Sequence, residues 1–213
     1  MNRRSFLLLS SAAVAVSASP ASAATPEFQP VASELANGAA DLPGIVMLGA
    51  KSPDVTLYEF FDYNCPYCKQ SSKDVPALLK GDKNLAYGLV NFAVLGLGSI
   101  TATKVALAFR SGRTPQQYLA FHEKLFGMRG PVDGQRALGL AVSLGGDKEE
   151  LTQLADSDAI GATALAHVKF GDSLGFQATP SYLGGTEAFS GYIDLAAKRA
   201  LVGNFRKCEK SHC

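Results

Sequence analysis

The chain carries almost no excess of charge. Lysine and arginine number 20, aspartate and glutamate 19, and the formal net charge is +1. No basic patch and no acidic tail breaks that balance, which argues against a nucleic-acid partner. Past Ala23 no apolar run is long enough to cross a bilayer, so the mature chain is expected to be soluble. Internal repeats are absent, as are low-complexity tracts outside the leader. Cysteine is scarce: Cys65, Cys68, Cys208 and Cys213 are all there is. A zinc site on the first pair would need a second ligand pair, and the other two cysteines lie far along the chain with only His212 nearby.

What is present begins with export. Met1-Asn2-Arg3-Arg4-Ser5-Phe6-Leu7-Leu8-Leu9 sets two arginines before an Ala-rich apolar segment that ends at Ala21-Ser22-Ala23. Residues 1–23 therefore read as a signal peptide cleaved after Ala23; the paired arginines resemble a twin-arginine signal, and such pairs occur in ordinary secretory signals too. Losing Arg3 and Arg4 would take the formal charge from +1 to −1. All four cysteines lie in the mature part, and an even number in an exported chain fits an oxidising compartment. The mature chain, roughly 190 residues, is long enough to build a core without help from disulfides.

Cys65-Pro66-Tyr67-Cys68 follows directly on the aromatic and β-branched run Val55-Thr56-Leu57-Tyr58-Glu59-Phe60-Phe61, which reads as a buried strand. Lys69 to Lys80 reads as a helix with Val75, Leu78 and Leu79 inside. Strand, Cys-x-x-Cys, then helix is the context of a redox pair. At a helix N-terminus the unpaired N–H groups and the helix dipole favour an anion, so Cys65 is expected to form the attacking thiolate. Pro66 suits the first helical turn. Cys68, one turn further in on the same face and more covered, is the expected resolving cysteine.

Along the chain, 24–53 is a lead-in in which Ile45 to Leu48 is expected to add an edge strand. Residues 54–98 make a βαβ unit, with strands at Val55–Tyr63 and Leu85–Phe92 expected to be parallel and joined right-handed. Residues 99–174 carry helical periodicity in five stretches: Ser99–Arg110, Gln116–Phe126, Gln135–Leu144, Lys148–Ala155 and Ala159–Phe170. Strand character returns within 175–213, at Pro180–Leu183 and Ala188–Gly191 around the Gly184-Gly185 turn, before a final helix at Ile193–Lys207.

A βαβ unit with Cys-x-x-Cys, a helical insertion, then Thr179-Pro180 before a hairpin and a last helix resembles the DsbA family of thioredoxin-fold proteins. The matching stretches are Tyr58 to Lys69, Gly175 to Tyr182 and Asn91 to Gly96. The resemblance implies an α/β class, a thioredoxin fold with an inserted all-helical subdomain, and a periplasmic thiol–disulfide oxidoreductase. It implies no cofactor beyond the Cys65–Cys68 disulfide itself. Cysteine-containing secreted proteins would be its clients, and a membrane redox partner would restore the pair. It further implies that Pro180 is a cis-proline facing the disulfide, with Thr179 presenting its backbone to an extended peptide beside Pro66 and Tyr67. Glu59 alternates to the same face as Phe61, beneath the disulfide. Burial should raise its pKa, and the resemblance implies that it relays the proton of Cys68. The bland alternative pairs Glu59 with Lys69 or Lys73.

One departure stands out. Strong oxidases of this family carry a histidine between the cysteines, whereas here the dipeptide is Pro66-Tyr67. Tyrosine lends no positive charge to a Cys65 thiolate, so a less oxidising pair is expected. The Pro-Tyr dipeptide and Thr179 lie closer to isomerase-type and copper-tolerance (ScsC-like) members. Those usually add an oligomerisation segment, for which 24–53 is too short, so a monomer is expected. An oxidase is the leading expectation. A reductase or isomerase, or a redox-inert chaperone or copper-tolerance binding protein, is the alternative. A glutathione-dependent transferase would usually have lost one cysteine of the pair. Cys208 and Cys213 are expected to form a small disulfide pinning the end of the last helix. An accessory dithiol and a soft-metal site with His212 rank second and third. His122 and His167, within helical stretches, are expected to be surface or packing residues rather than catalysts.

Overall fold

In the computed structural model, which describes residues 26–213, the sheet is organised around the run that precedes the cysteines. The signal-peptide reading of residues 1–23 lies outside the described residues. Strand β3 (Val55–Phe61) is flanked by β4 (Leu85–Asn91), parallel to it, and by β5 (Ser181–Gly184), antiparallel. A strand covered on both faces needs apolar residues on both, and every residue of β4 is buried. The sheet is completed by β1 (Gln29–Pro30), β2 (Val46–Gly49) and β6 (Glu187–Ser190), in the order β1-β6-β5-β3-β4-β2. The parallel β3–β4 pair, the edge strand β2 and the β5–β6 hairpin agree with the reading of the sequence. The lead-in holds more than was expected of it: β1, which pairs with β6, then α1 (Ser33–Asn37) and a short 3-10 turn.

The helix after the cysteines is a correction. Instead of one helix from Lys69 to Lys80, α2 (Pro66–Ser71) and α3 (Val75–Gly81) are separated by a turn at residues 72–74. Pro76 has no N–H to give the Ser72 carbonyl, so a continuous helical ladder would break there. The turn closes instead through Lys73 N–H to Gln70 O and Asp74 N–H to Ser71 O.

Five helices form the insertion: α4 (Leu97–Arg110), α5 (Pro115–Gly127), α6 (Gly134–Ser143), α7 (Lys148–Ala155) and α8 (Asp158–Ser173). Their starts are chemically marked. Thr114, Asp133, Asp147 and Ser157 each accept a backbone N–H three residues on, and Thr114 completes a capping box with Gln117. A final helix, α9 (Leu195–Cys208), is capped by Asp194 and buries Leu201, Val202 and Phe205.

The sheet divides the core in two. Leu57 and Phe61 face α3, α9 and the inner surfaces of α4 to α7, while Phe60 and Val90 face the other way, with Phe92, Leu174 and Phe176. Gly171 lets α8 close on that second cluster, since a Cβ there would lie 2.5 Å from the Phe92 ring. His122 and His167 are both buried, at 2% and 0% exposure. His122 packs edge-on against Phe61 and Phe126, and the two ring nitrogens of His167 face the Asn91 N–H and the Pro43 carbonyl.

Candidate active site

The carboxyl end of β3 carries the chain through Asp62-Tyr63-Asn64 into the N-terminus of α2, and Cys65 is the N-cap of that helix. The Cys65 sulfur accepts the Cys68 N–H at 3.4 Å. Its pKa is brought down to about 6, first by a hydrogen bond from the Cys68 thiol and then by bonds from the Thr179 hydroxyl and the first backbone N–H groups of α2, against the opposing effect of burial. When protonated, the Cys65 thiol instead donates to the Thr179 carbonyl at 3.1 Å, which works the other way by holding the neutral form. Cys68, fully buried, is pushed far upward, chiefly by burial and then by its bond to Cys65 and the charge of Glu59. Two thiols on one helical turn thus differ sharply in acidity: one ionises readily and the other stays protonated.

Thr179–Pro180 is a cis peptide and lies against this pair. Its loop is held by Ser181 Oγ donating to the Ala178 carbonyl at 2.7 Å and by Gly191 N–H donating to Pro180 O at 2.8 Å. The latter bond belongs to the hairpin that closes β5 on β6. Pro66 is exposed, and Tyr67 between the cysteines is 56% exposed. A cleft of about 630 Å³ opens beside Cys65, walled by Pro66, Leu95, Phe126, Met128 and Val132. A larger cleft, about 860 Å³, lies in the insertion among α4, α6 and α7 and contains no thiol. The chemistry belongs to the smaller one.

Glu59 is 2% exposed. Its Oε2 accepts the Tyr87 hydroxyl at 2.5 Å, and burial raises its pKa against the opposing pull of the Lys198 charge. The lysines weighed as partners are elsewhere, with Lys69 Nζ donating to the Met128 carbonyl at 2.8 Å and Lys73 exposed.

Two residues went unread in the sequence. Asp62 is wholly buried and accepts four hydrogen bonds: from the N–H groups of Asn64 (2.8 Å), Val94 (2.9 Å) and Leu95 (2.9 Å), and from Ser99 Oγ (2.6 Å). Asn64 reaches the insertion, donating to the Val132 carbonyl at 2.8 Å and accepting the Val132 N–H at 2.7 Å. Together they fix the loop before Cys65 to the start of α4 and the loop before α6. The available signal was two short polar residues at the end of an apolar strand.

Cys208 and Cys213 form a disulfide. Ser211 N–H bonds Glu187 and the His212 ring meets Phe28 edge-on, so the tail is pinned over β6 and the segment before β1. Arg206, on the turn before Cys208, pairs with Asp54 at the amino end of β3. Cys65 follows the other end, roughly 20 Å away for a seven-residue strand. That separation removes the accessory-dithiol reading as a direct exchange. With both sulfurs in the disulfide, the soft-metal reading has no thiolates. No cluster of three or more metal-ligating side chains occurs among the described residues.

A Cys-x-x-Cys pair at a strand-to-helix junction, facing a cis-proline loop across a βαβ–ββα sheet, defines the class of thiol–disulfide oxidoreductases built on the thioredoxin fold. Residues 41–203 match the thioredoxin family model, and the chain belongs to that family. It is 31% identical to a thioredoxin-like oxidoreductase from Silicibacter pomeroyi DSS-3, over 81% of this chain and 98% of that one, with a TM-score of 0.74. It is 26% identical to a periplasmic thioredoxin-like protein from Salmonella enterica serovar Typhimurium, over 81% and 97%, with a TM-score of 0.66. Over 96 residues it is 36% identical to disulfide bond formation protein D of Bacillus subtilis (strain 168), a match spanning 42% of each chain.

Proposed function

We propose that the chain is an exported thiol–disulfide oxidoreductase that acts as a disulfide oxidase on cysteine-containing secreted proteins, working as a monomer in the periplasm. The observation that carries this reading is the unequal pair: a Cys65 pKa near 6 beside a Cys68 thiol held protonated. A client thiolate attacks the Cys65 sulfur of the oxidised pair, the Cys65–Cys68 bond breaks, and Cys68 leaves and takes up a proton. A second client thiolate then attacks the client sulfur of the mixed disulfide and expels Cys65 as the stabilised thiolate. The client loses two electrons and the pair gains them. A membrane redox partner would remove those electrons and re-form the disulfide.

Thr179 and Pro180 line the place where an extended client would pair with the chain edge, and Pro66 and Tyr67 stand exposed beside it. Glu59, buried and near enough for its charge to raise the Cys68 thiol, is the group that gives Cys68 its proton and takes it back. The arginine-bearing leader supports export, as does likeness to a relative described as periplasmic. The test is the equilibrium potential of the pair against a glutathione buffer, with Cys208 and Cys213 changed to serine. A value well above the glutathione poise is expected. A value near that of thioredoxin would make the protein a reductase or isomerase that draws electrons from a donor.

A further inference from the structure

Residues 128–133, between α5 and α6, form one wall of the cleft beside Cys65. Val132 is buried there and Met128 half-buried, yet among the described residues no backbone–backbone hydrogen bond reaches residues 129–132. Side chains hold the loop instead. Asn64 takes both backbone groups of Val132: Nδ2 donates to the carbonyl at 2.8 Å and Oδ1 accepts the N–H at 2.7 Å. An amide offers one donor face and one acceptor face in fixed geometry, so this double pairing sets both the position and the tilt of the loop. Lys69, one turn after Cys65 on α2, donates from Nζ to the Met128 carbonyl at 2.8 Å. From the insertion side, Arg136 on α6 donates to the carbonyls of Pro131 and Arg129, the latter at 2.7 Å.

A second wall is held in the same manner. Leu95, 52% exposed, lies in the loop before α4, where its own N–H and that of Val94 both end on Asp62 Oδ2 at 2.9 Å. The short link 62–64 thus sets two walls of the cleft at once, and Cys65 is the next residue in the chain. Val94, Leu97 and Ile100 are exposed as well. Four large apolar side chains left in water within seven residues mark a surface that something covers. Among the described residues the walls of this cleft do not include Thr179 or Pro180, although Thr179 touches the Cys65 sulfur. The cleft therefore adjoins the reacting sulfur on a flank of its own.

We propose that this cleft is a client subsite that takes a large apolar side chain next to the client's reacting cysteine, and that Asn64, Lys69 and Arg136 are positioning residues that hold its 128–133 wall. The proposal rests on the reading that Cys65 exchanges with cysteine-containing clients. Backbone pairing at Thr179 gives affinity without regard to sequence, whereas a pocket beside it gives specificity. Glutathione, with only glycine and a γ-linked glutamate around its cysteine, has no apolar side chain to place there. The anchored wall thus lets Cys65 tell a protein client from a small thiol.

Selectivity is measured on the full mature chain with Cys68, Cys208 and Cys213 changed to serine, which leaves Cys65 as the sole thiol. The reagents are short peptides and glutathione, each with its cysteine as the thiopyridyl disulfide. The Cys65 thiolate attacks the cysteine sulfur, a mixed disulfide forms and thiopyridone leaves. The leaving group is the same throughout, and its absorbance gives the rate. Peptides with leucine on one or the other side of the cysteine are compared with the same peptides carrying serine. The parent should prefer the better leucine peptide to its serine counterpart by about tenfold, and glutathione should react like the serine peptides. Asn64→Ala, Lys69→Met and Arg136→Ala should each bring that preference below about threefold, whereas Lys69→Arg, which keeps a donor, should retain most of it. Arg136→Ala is the cleanest of these, since its guanidinium bonds only the loop. A mere loss of stability would slow all reagents alike and leave the preference in place. A parent preference within about twofold of unity overturns the subsite, while adduct formation keeps exchange at Cys65 standing. A tenfold preference that survives Asn64→Ala and Arg136→Ala overturns the role of the anchors. No adduct from any reagent would overturn exchange at Cys65 and the subsite together.

Discussion

Replacing Cys68 with alanine should shift the acidity of Cys65, and by an amount that bears on what kind of oxidant the protein can be. The Cys68 thiol is the largest single influence holding the Cys65 thiolate, whose pKa of about 6 lies three below the ordinary thiol value of 9.0. Three pKa steps correspond to about 4 kcal/mol of preference for the thiolate. At pH 7, only the interval from 7 down to about 6 stabilises the reduced protein relative to an ordinary dithiol. That interval is at most about 1.4 kcal/mol, or about 30 mV for two electrons. Solvent in the adjoining cleft screens some of it. The gap between thioredoxin and the strongly oxidising DsbA is about 150 mV. Thiolate stabilisation of this size covers about a fifth of that gap, in keeping with the neutral Tyr67 between the cysteines, and the rest of the oxidising potential expected of the pair must come from other differences between its two redox states. In the reduced protein, thiolate absorbance and alkylation rate should titrate with a midpoint near 6, and Cys68→Ala should raise it by about one or more. A wild-type midpoint near 9.0, the ordinary thiol value, would refute the reasoning. An unmoved midpoint in Cys68→Ala would transfer the effect to the N–H groups of α2.

Four further outcomes are expected. His122 has its pKa lowered to about 3 by burial, so the unfolded chain binds a proton that the folded one refuses between pH 6.5 and about 3. Stability should therefore fall as pH drops through that window, by a few kcal/mol, and His122→Phe should flatten the slope in urea unfolding. Glu59 has its pKa raised by burial, so its neutral form favours the folded state at low pH and that contribution is lost as pH rises through the folded value. Glu59→Gln should gain stability over the parent toward alkaline pH, read from melting curves. Asp62→Ala orphans four donors and should cost about 3 kcal/mol or more by chemical denaturation. Changing Cys208 and Cys213 to serine opens a loop of separation 5 and should cost no more than about 2 kcal/mol while leaving exchange at Cys65 intact.

Much of the fold was legible because its signals are local. Four of the five inserted helices start at side-chain caps, and strand β3 announces itself by aromatic and β-branched residues. The break between α2 and α3 was also local, since Pro76 marks it, but the apolar spacing of Val75, Leu78 and Leu79 masked it. Other features are long-range and leave little trace. The lead-in strand β1 is two residues long, and only β6 makes it a strand. The cysteine pair was legible from spacing and context, and the burial of Glu59 from its place on an apolar strand. The polar shell around them was not. Lys198 lies 139 positions after Glu59 on a helix whose apolar stripe is ordinary, and the partners of Asp62 and Asn64 come from the insertion. Such groups meet only when the sheet and insertion close.

The central claim is that Cys65 exchanges with the client and Cys68 resolves. It is tested most directly by trapping: Cys65→Ser and Cys68→Ser variants, each also lacking Cys208 and Cys213, are offered a peptide bearing an activated disulfide and analysed by intact mass. The account predicts that Cys68→Ser accumulates a stable mixed disulfide at Cys65, while Cys65→Ser, with only the buried, protonated thiol left, forms almost none. Accumulation in Cys65→Ser at a comparable rate, or in neither variant, would contradict it.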